Sequence, residues 1–145
     1  MQRLLCAVFL FVPLAVAQKK IVTPEAFNRP GQEAPLFSPG ILDGGTLYVS
    51  GQIGSDLKTR KVPESFEDEV RTSLENIRLI LKEAKMDYSD IVNVQVFLTD
   101  MSLFPRMNAV YSSILKAPRP ARATVGVSAL AAKDAHIEIS VIARK

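Results

Sequence analysis
Pro118-Arg119-Pro120-Ala121-Arg122-Ala123-Thr124-Val125-Gly126-Val127 decides how the rest of the chain is read. Two prolines within three residues stiffen the entry and bar a helix there. Beyond them Arg122, Thr124, Gly126 and Ser128 alternate with Ala123, Val125, Val127 and Ala129. A period of two predicts a strand with one apolar face and one face of small or polar residues. Arg122 opens the second face, beside residues too small to fill the space in front of it. A guanidinium above a floor of Thr and Gly suits a carboxylate, because its planar fork grips both oxygens at once. An arginine that is merely solvated, or paired with an acid at a strand end, is the commoner case. The residues alone leave both readings open.

Working outward, the preceding segment predicts a helix from about Leu103 to Lys116, with Phe104, Met107, Tyr111 and Ile114/Leu115 as its apolar stripe. Before it, Asp90 to Thr99 reads as a strand with Val92, Val94, Val96 and Leu98 on one face and Ile91 and Phe97 on the other. A longer helix is expected from about Ser65 to Ala84, where Phe66, Val70, Leu74, Ile77 and Leu81 recur at spacings of three and four. Glu67, Asp68 and Glu69 suit its N-terminal turn and read as a solvated face, and Lys82 and Lys85 suit its other end. Asp56 to Pro63 is polar and reads as a loop. Thr46 to Ser50 is a strand, with Gly51-Gln52-Ile53-Gly54 as a glycine-bearing turn at its exit, and Asp43-Gly44-Gly45 carries a hairpin signal. Asn28 to Gly40 is a loop with a short extended piece at Leu36 to Ser38, and Lys20 to Thr23 is a first short strand stopped by Pro24. On the C-terminal side a connection at Ala131 to Asp134 leads to a last strand, His136 to Ala143. There Ile137, Ile139 and Val141 face one way and His136, Glu138 and Ser140 the other. A simple hairpin count pairs Arg122 with a residue near Ala143.

Helices separated by single strands predict one α+β domain over residues 18–145, with two helices on one face of a mixed sheet. A sheet covered on one side must bury its other face. That face holds Val, Ile and Leu in several strands, so a homo-oligomer is expected.

The 145 residues suffice for one domain with a real core. Met1-Gln2-Arg3, the apolar run Leu4 to Ala17 ending Ala15-Val16-Ala17, and the following Gln18-Lys19-Lys20 have the layout of a secretory signal peptide over residues 1–17. The expected compartment is therefore secreted or periplasmic. The alternative, a membrane anchor over residues 4–17, requires a span from a run shorter than the roughly 20 residues a bilayer needs. The only cysteine, Cys6, lies inside this segment. A mature chain would then have no disulfide, no thiol nucleophile and no thiolate metal site. Leaving out Arg3, 17 basic residues face 15 acidic ones, and no basic run exceeds two residues. Nothing in that balance marks a nucleic-acid surface.

Few other constellations carry chemistry. His136 is the only histidine, and no Gly-x-Ser-x-Gly elbow accompanies it. It reads as a partly exposed strand-end residue. No metal motif is present, so no metal is expected. Gly51-Gln52-Ile53-Gly54 lacks the lysine of a phosphate loop, and a plain turn is the simpler reading. Glu138 stands among isoleucines, where it would either orient a water or neutralise a basic neighbour.

Six pieces then occur in order: Ser50-Gly51-Gln52-Ile53-Gly54, Leu74-Glu75-Asn76-Ile77, Val94-x-Val96-Phe97-Leu98-x-Asp100, Met107-Asn108-x-x-Tyr111, Pro120-Ala121-Arg122-Ala123 and Ile137-Glu138-Ile139. Together they resemble the RidA/YjgF family of reactive-intermediate imine deaminases, over about residues 36 to 143. The resemblance implies a chorismate-mutase-like α+β fold and a homotrimer with a cleft at each subunit interface. It implies hydrolysis of small 2-imino or enamine acids to 2-oxo acids and ammonia, with no cofactor. By position, Arg122 matches the arginine that binds the substrate carboxylate, and Glu138 the acid that places the water. Gly51, Ser50, Asn108 and Thr124 match other pocket positions. Phe37 stands where many members have a tyrosine, and the connection Leu130-Ala131-Ala132 is one residue longer than usual. A non-catalytic binding module for small carboxylates, using the same pocket, is the alternative implied.

Overall fold
The computed structural model describes residues 18–28, 31 and 36–145, so the expected leader over residues 1–17 lies outside the described residues. Six strands are present: β1 (Lys20–Val22), β2 (Gly40–Asp43), β3 (Thr46–Ile53), β4 (Ile91–Leu98), β5 (Ala121–Gly126) and β6 (Ile137–Arg144). Helix α1 (Phe66–Glu83) separates β3 from β4, and α2 (Phe104–Ile114) separates β4 from β5. Among the described residues no helix is long and apolar enough to cross a membrane.

The strands form one sheet in the order β1-β2-β3-β6-β4-β5, antiparallel throughout except for the parallel pair β4 and β5. Because β6 is antiparallel to both β3 and β4, those two strands run the same way. Both helices are therefore crossovers between parallel strands, taken in the same direction across the sheet. Crossovers of one hand place their helices on one face, as the order of elements predicts.

Between helices and sheet lies the core. Leu47 and Val49, Val94, Val96 and Leu98, and Ile137, Ile139 and Val141 meet Val70, Leu74, Ile77 and Leu81 of α1 and Met107 and Val110 of α2. Ser65 caps α1, its hydroxyl accepting from the Asp68 N–H, and three acids follow in the first turn. The β2–β3 hairpin turns at Gly44 and Gly45, with φ of 54° and 80°. Two successive positive φ values make the turn whose twist matches its strands, and glycine adopts both without strain.

Four expectations need correction. The last strand does not form a hairpin with β5. It inserts between β3 and β4, and Ala143 pairs with Leu47 and Ile91. A central, doubly paired place suits its regular alternation of buried apolar residues. In β4, Ile91 is buried while Val92 is 49% exposed, because the register slips between Ile91 and Asn93. A one-residue slip moves a side chain to the other face. Gly51-Gln52-Ile53-Gly54 is not a turn. Strand β3 runs on to Ile53 past a bulge between Val49 and Gln52. Leu36 to Ser38 forms bends, not an extended piece.

Candidate active site
Strand register assigns the candidate residues to two groups on opposite sides of the sheet. In the β4–β5 ladder, Arg122 pairs with Val94 and Thr124 with Val96. Both valines are core residues, so Arg122 and Thr124 lie on the helix side. Glu138 pairs with Phe97 and with Ile53. Its neighbours Ile137 and Ile139 are buried under the helices, so Glu138 points to the open face. Within one chain the two residues do not meet.

On the helix side, α2 forms the seat for Arg122. The guanidinium lies 4.6 Å from the Tyr111 ring centroid and 5.7 Å from that of Phe104, and Nη1 is 4.0 Å from the Met107 sulfur. An aromatic seat orients a guanidinium without neutralising it. None of the ion pairs among the described residues involves Arg122. The reading of Arg122 as paired with an acid at a strand end is thus not met among them. Asn108, Tyr111 and Ser112 of α2 and Arg119, Pro120 and Arg122 line one open cleft of about 490 Å³. The Tyr111 hydroxyl and, on the same side of the sheet, Thr124 Oγ1 are buried with no hydrogen-bond partner among the described residues. Burial pushes the Tyr111 phenol up, against the pull of the Arg122 and Arg119 charges.

On the open face, Glu138 lies across Gly51. A Cβ on Gly51 would overlap Glu138 Oε1, so only glycine leaves room for this carboxylate against the backbone of the bulge. Ser50 borders the same bulge. Its hydroxyl donates to the Ser38 carbonyl at 2.6 Å and its N–H donates to the Pro39 carbonyl at 3.0 Å. The segment that follows Phe37 is thereby tied to the bulge. Phe37 itself is 65% exposed. The two groups are therefore Arg122, Thr124 and Asn108 on one side, and Glu138, Gly51 and Ser50 on the other, with Phe37 in the segment that leads to Ser50's partners.

His136 belongs to neither group. Its backbone N–H and Nδ1 lie 2.6 and 2.9 Å from the carboxylate of Glu69, which also accepts from the Ile137 N–H at 3.2 Å. Glu69 is fully buried, which corrects the reading of the Glu67-Asp68-Glu69 run as a solvated face. Its spacing could have revealed it: Glu69 follows Phe66 by three and precedes Ser73 by four, inside the buried stripe of α1. Arg119 and Tyr111 also escaped the site reading, although Arg119 stands only three residues before Arg122.

The family model described as Endoribonuclease L-PSP matches residues 27–145. The chain belongs to this family, the RidA/YjgF proteins. A RutC family protein of Sulfurisphaera tokodaii is 44% identical over 110 residues, covering 75% of this chain and 87% of that one. A 2-iminobutanoate/2-iminopropanoate deaminase of Dermatophagoides farinae is 35% identical over 107 residues, covering 73% and 83%. The crystal structure of Escherichia coli TdcF with bound serine superposes with a TM-score of 0.77 at 33% identity, covering 87% of this chain and 98% of that one. The six-stranded sheet with two helices on one face is thus the RidA/YjgF fold, as expected.

Proposed function
We propose that this RidA/YjgF chain hydrolyses small 2-imino acids to 2-oxo acids and ammonia, at sites assembled between protomers of a homotrimer. In this reading Arg122 of one protomer holds the substrate carboxylate through its fork, and Glu138 of the next holds a water. The water oxygen adds to the imine carbon while one of its protons passes through the carboxylate to nitrogen; the carboxylate then takes the remaining hydroxyl proton as C=O forms and the C–N bond breaks, releasing ammonia. A protonated imine is already electrophilic, so fixing the carboxylate and placing one water supplies most of the catalysis. Thr124 and Asn108 would line the pocket beside Arg122, and Ser50, Gly51 and Phe37 beside Glu138.

The observation that carries the proposal is the separation of Arg122 and Glu138 onto opposite faces of one sheet. A small substrate can touch both only if two chains contribute. The open face supports this, because Tyr48 and Val125 on it are 50% and 46% exposed. Such apolar surface on an uncovered sheet favours association.

Activity is tested on 2-iminopropanoate generated in place by an amino-acid oxidase. Arg122→Lys should lose most of it, since one ammonium cannot reproduce the fork. An Arg122→Ala chain and a Glu138→Gln chain, each inactive alone, should recover about a quarter of wild-type activity when unfolded and reassembled together, because half of each contribution is intact at random. No recovery from correctly assembled mixtures would place both residues in one chain's site and overturn the shared arrangement.

A further inference from the structure
The cleft that holds Arg122 contains a second cation that the proposed reaction does not use. Arg119 lines it together with Arg122, Tyr111, Asn108 and Ser112. Its Nε donates to the Leu115 carbonyl at 3.1 Å, the C-cap residue of α2. That bond fixes the side chain against the helix end and leaves both Nη groups unused by it. Pro118 and Pro120 on either side restrict the backbone that carries it. Among the described residues neither Arg119 nor Arg122 is in an ion pair. Both guanidiniums line the cleft that Tyr111 also lines, and both charges act to lower its phenol pKa.

Two unpaired like charges at one cleft repel each other unless an anion lies between or across them. A monocarboxylate occupies only one fork. A molecule with carboxylates at both ends occupies both, and Tyr111 of the same cleft wall carries a hydroxyl with no hydrogen-bond partner among the described residues. Resting on the reading that Arg122 holds the carboxylate next to the imine, we propose that Arg119 is a specificity-determining residue that binds a second carboxylate. The preferred substrates are then 2-imino dicarboxylates, the imines of acidic amino acids. The reaction balances as before: water adds, the C–N bond breaks, and a 2-oxo dicarboxylate and ammonia leave.

The experiment compares 2-iminoglutarate with 2-iminopropanoate, each made in place from the amino acid by an oxidase. It uses the wild-type protein, Arg119→Gln and Arg119→Glu. The ratio of kcat/KM for the di-acid over the mono-acid should fall about tenfold in Arg119→Gln, the order expected for one charge-assisted contact, and further in Arg119→Glu. A ratio within about twofold of wild type in both variants would overturn the assignment. If the wild type hydrolyses neither imine, the deaminase reading fails, and thermal stabilisation by glutarate and by butanoate decides this one separately. Greater stabilisation by glutarate that Arg119→Gln removes would uphold the second carboxylate site. Equal stabilisation by the two acids, or a difference that survives the substitution, would overturn it.

Discussion
Glu69 and Glu138 are two acidic residues that meet the strand pair β3–β6 from opposite sides, and each packs against a glycine of the same Gly51-Gln52-Ile53-Gly54 segment, Glu69 through its backbone and Glu138 through its carboxylate. Glu69, under α1, is fully buried and is met by the His136 and Ile137 N–H groups and by the His136 ring. Glu138, on the open face, is half-buried and enters none of the ion pairs among the described residues. A buried acid whose bonding is completed within its own chain holds structure together. An acid that is seated against the sheet but electrostatically unspent remains available for a ligand or a water. The same residue type, one sheet thickness apart, therefore has opposite expected roles.

The most damaging way to probe this contrast acts on the buried side. A Cβ on Gly54 would overlap the backbone carbonyl of Glu69, which cannot rotate away. Gly54→Ala should destabilise by about 3 kcal/mol, because α1 must move off the sheet. Glu69→Ala should cost a similar amount, about 3 kcal/mol, since it strips the acceptor from two backbone N–H groups and leaves a cavity. Urea unfolding at a fixed protein concentration measures both. Near-wild-type stability of Glu69→Ala would show that the Glu69 bonds are dispensable and would dissolve the contrast.

The open-face counterparts should separate activity from stability. Glu138→Gln should shift stability by no more than about 0.5 kcal/mol, while the proposed imine hydrolysis falls about a hundredfold through loss of the carboxylate. Gly51→Ala is the subtler probe. Its Cβ would meet the end of the flexible Glu138 side chain, not backbone. The side chain can swing aside at a cost of about 1 kcal/mol, yet a displacement on that scale should reduce turnover by roughly a hundredfold. Full activity in Gly51→Ala would mean that the observed seat of Glu138 has no bearing on the chemistry.

How far these features could be read from sequence follows from the range of the interactions. Helix α1 was legible because Phe66, Val70, Leu74, Ile77 and Leu81 write its period, and Ser65 writes its start. The two helices fell on one face because crossover handedness is a general rule. The place of β6 was not legible, because inserting between β3 and β4 depends on long-range pairing that no local pattern encodes. That error carried the Arg122 pairing with it. The open-face direction of Glu138 could be read from the alternation with Ile137 and Ile139. The helix-side direction of Arg122 could not, because β5 is an edge strand whose alternate residues are nearly all small. The signal for Glu69 was present in its spacing, but its type argued for solvent, and only the N–H groups at the start of β6 explain why it is inside.

The smallest effect concerns a third acid, Glu67, two residues from Glu69 on the same helix. Arg106 of α2 donates to both its oxygens, at 2.7 and 2.8 Å, and lies 5.5 Å from the Phe66 ring centroid. These hydrogen bonds hold the Glu67 carboxyl down at about 2. A carboxyl lowered in the folded state contributes stability above its unfolded value, 4.5, and loses that contribution as pH falls toward about 2. Since the pair is largely solvent-exposed, the contribution is small and is screened by salt. Arg106→Ala should therefore lower Tm slightly near neutral pH, and the difference from wild type should close as the pH drops from about 5 to about 2. A difference that persists at the acid end would assign the effect of Arg106 to its packing on Phe66. Either way Glu67 separates two properties that Glu69 combines. An acid can be well partnered and still matter little while water reaches it, so burial, more than partnership, makes Glu69 structural.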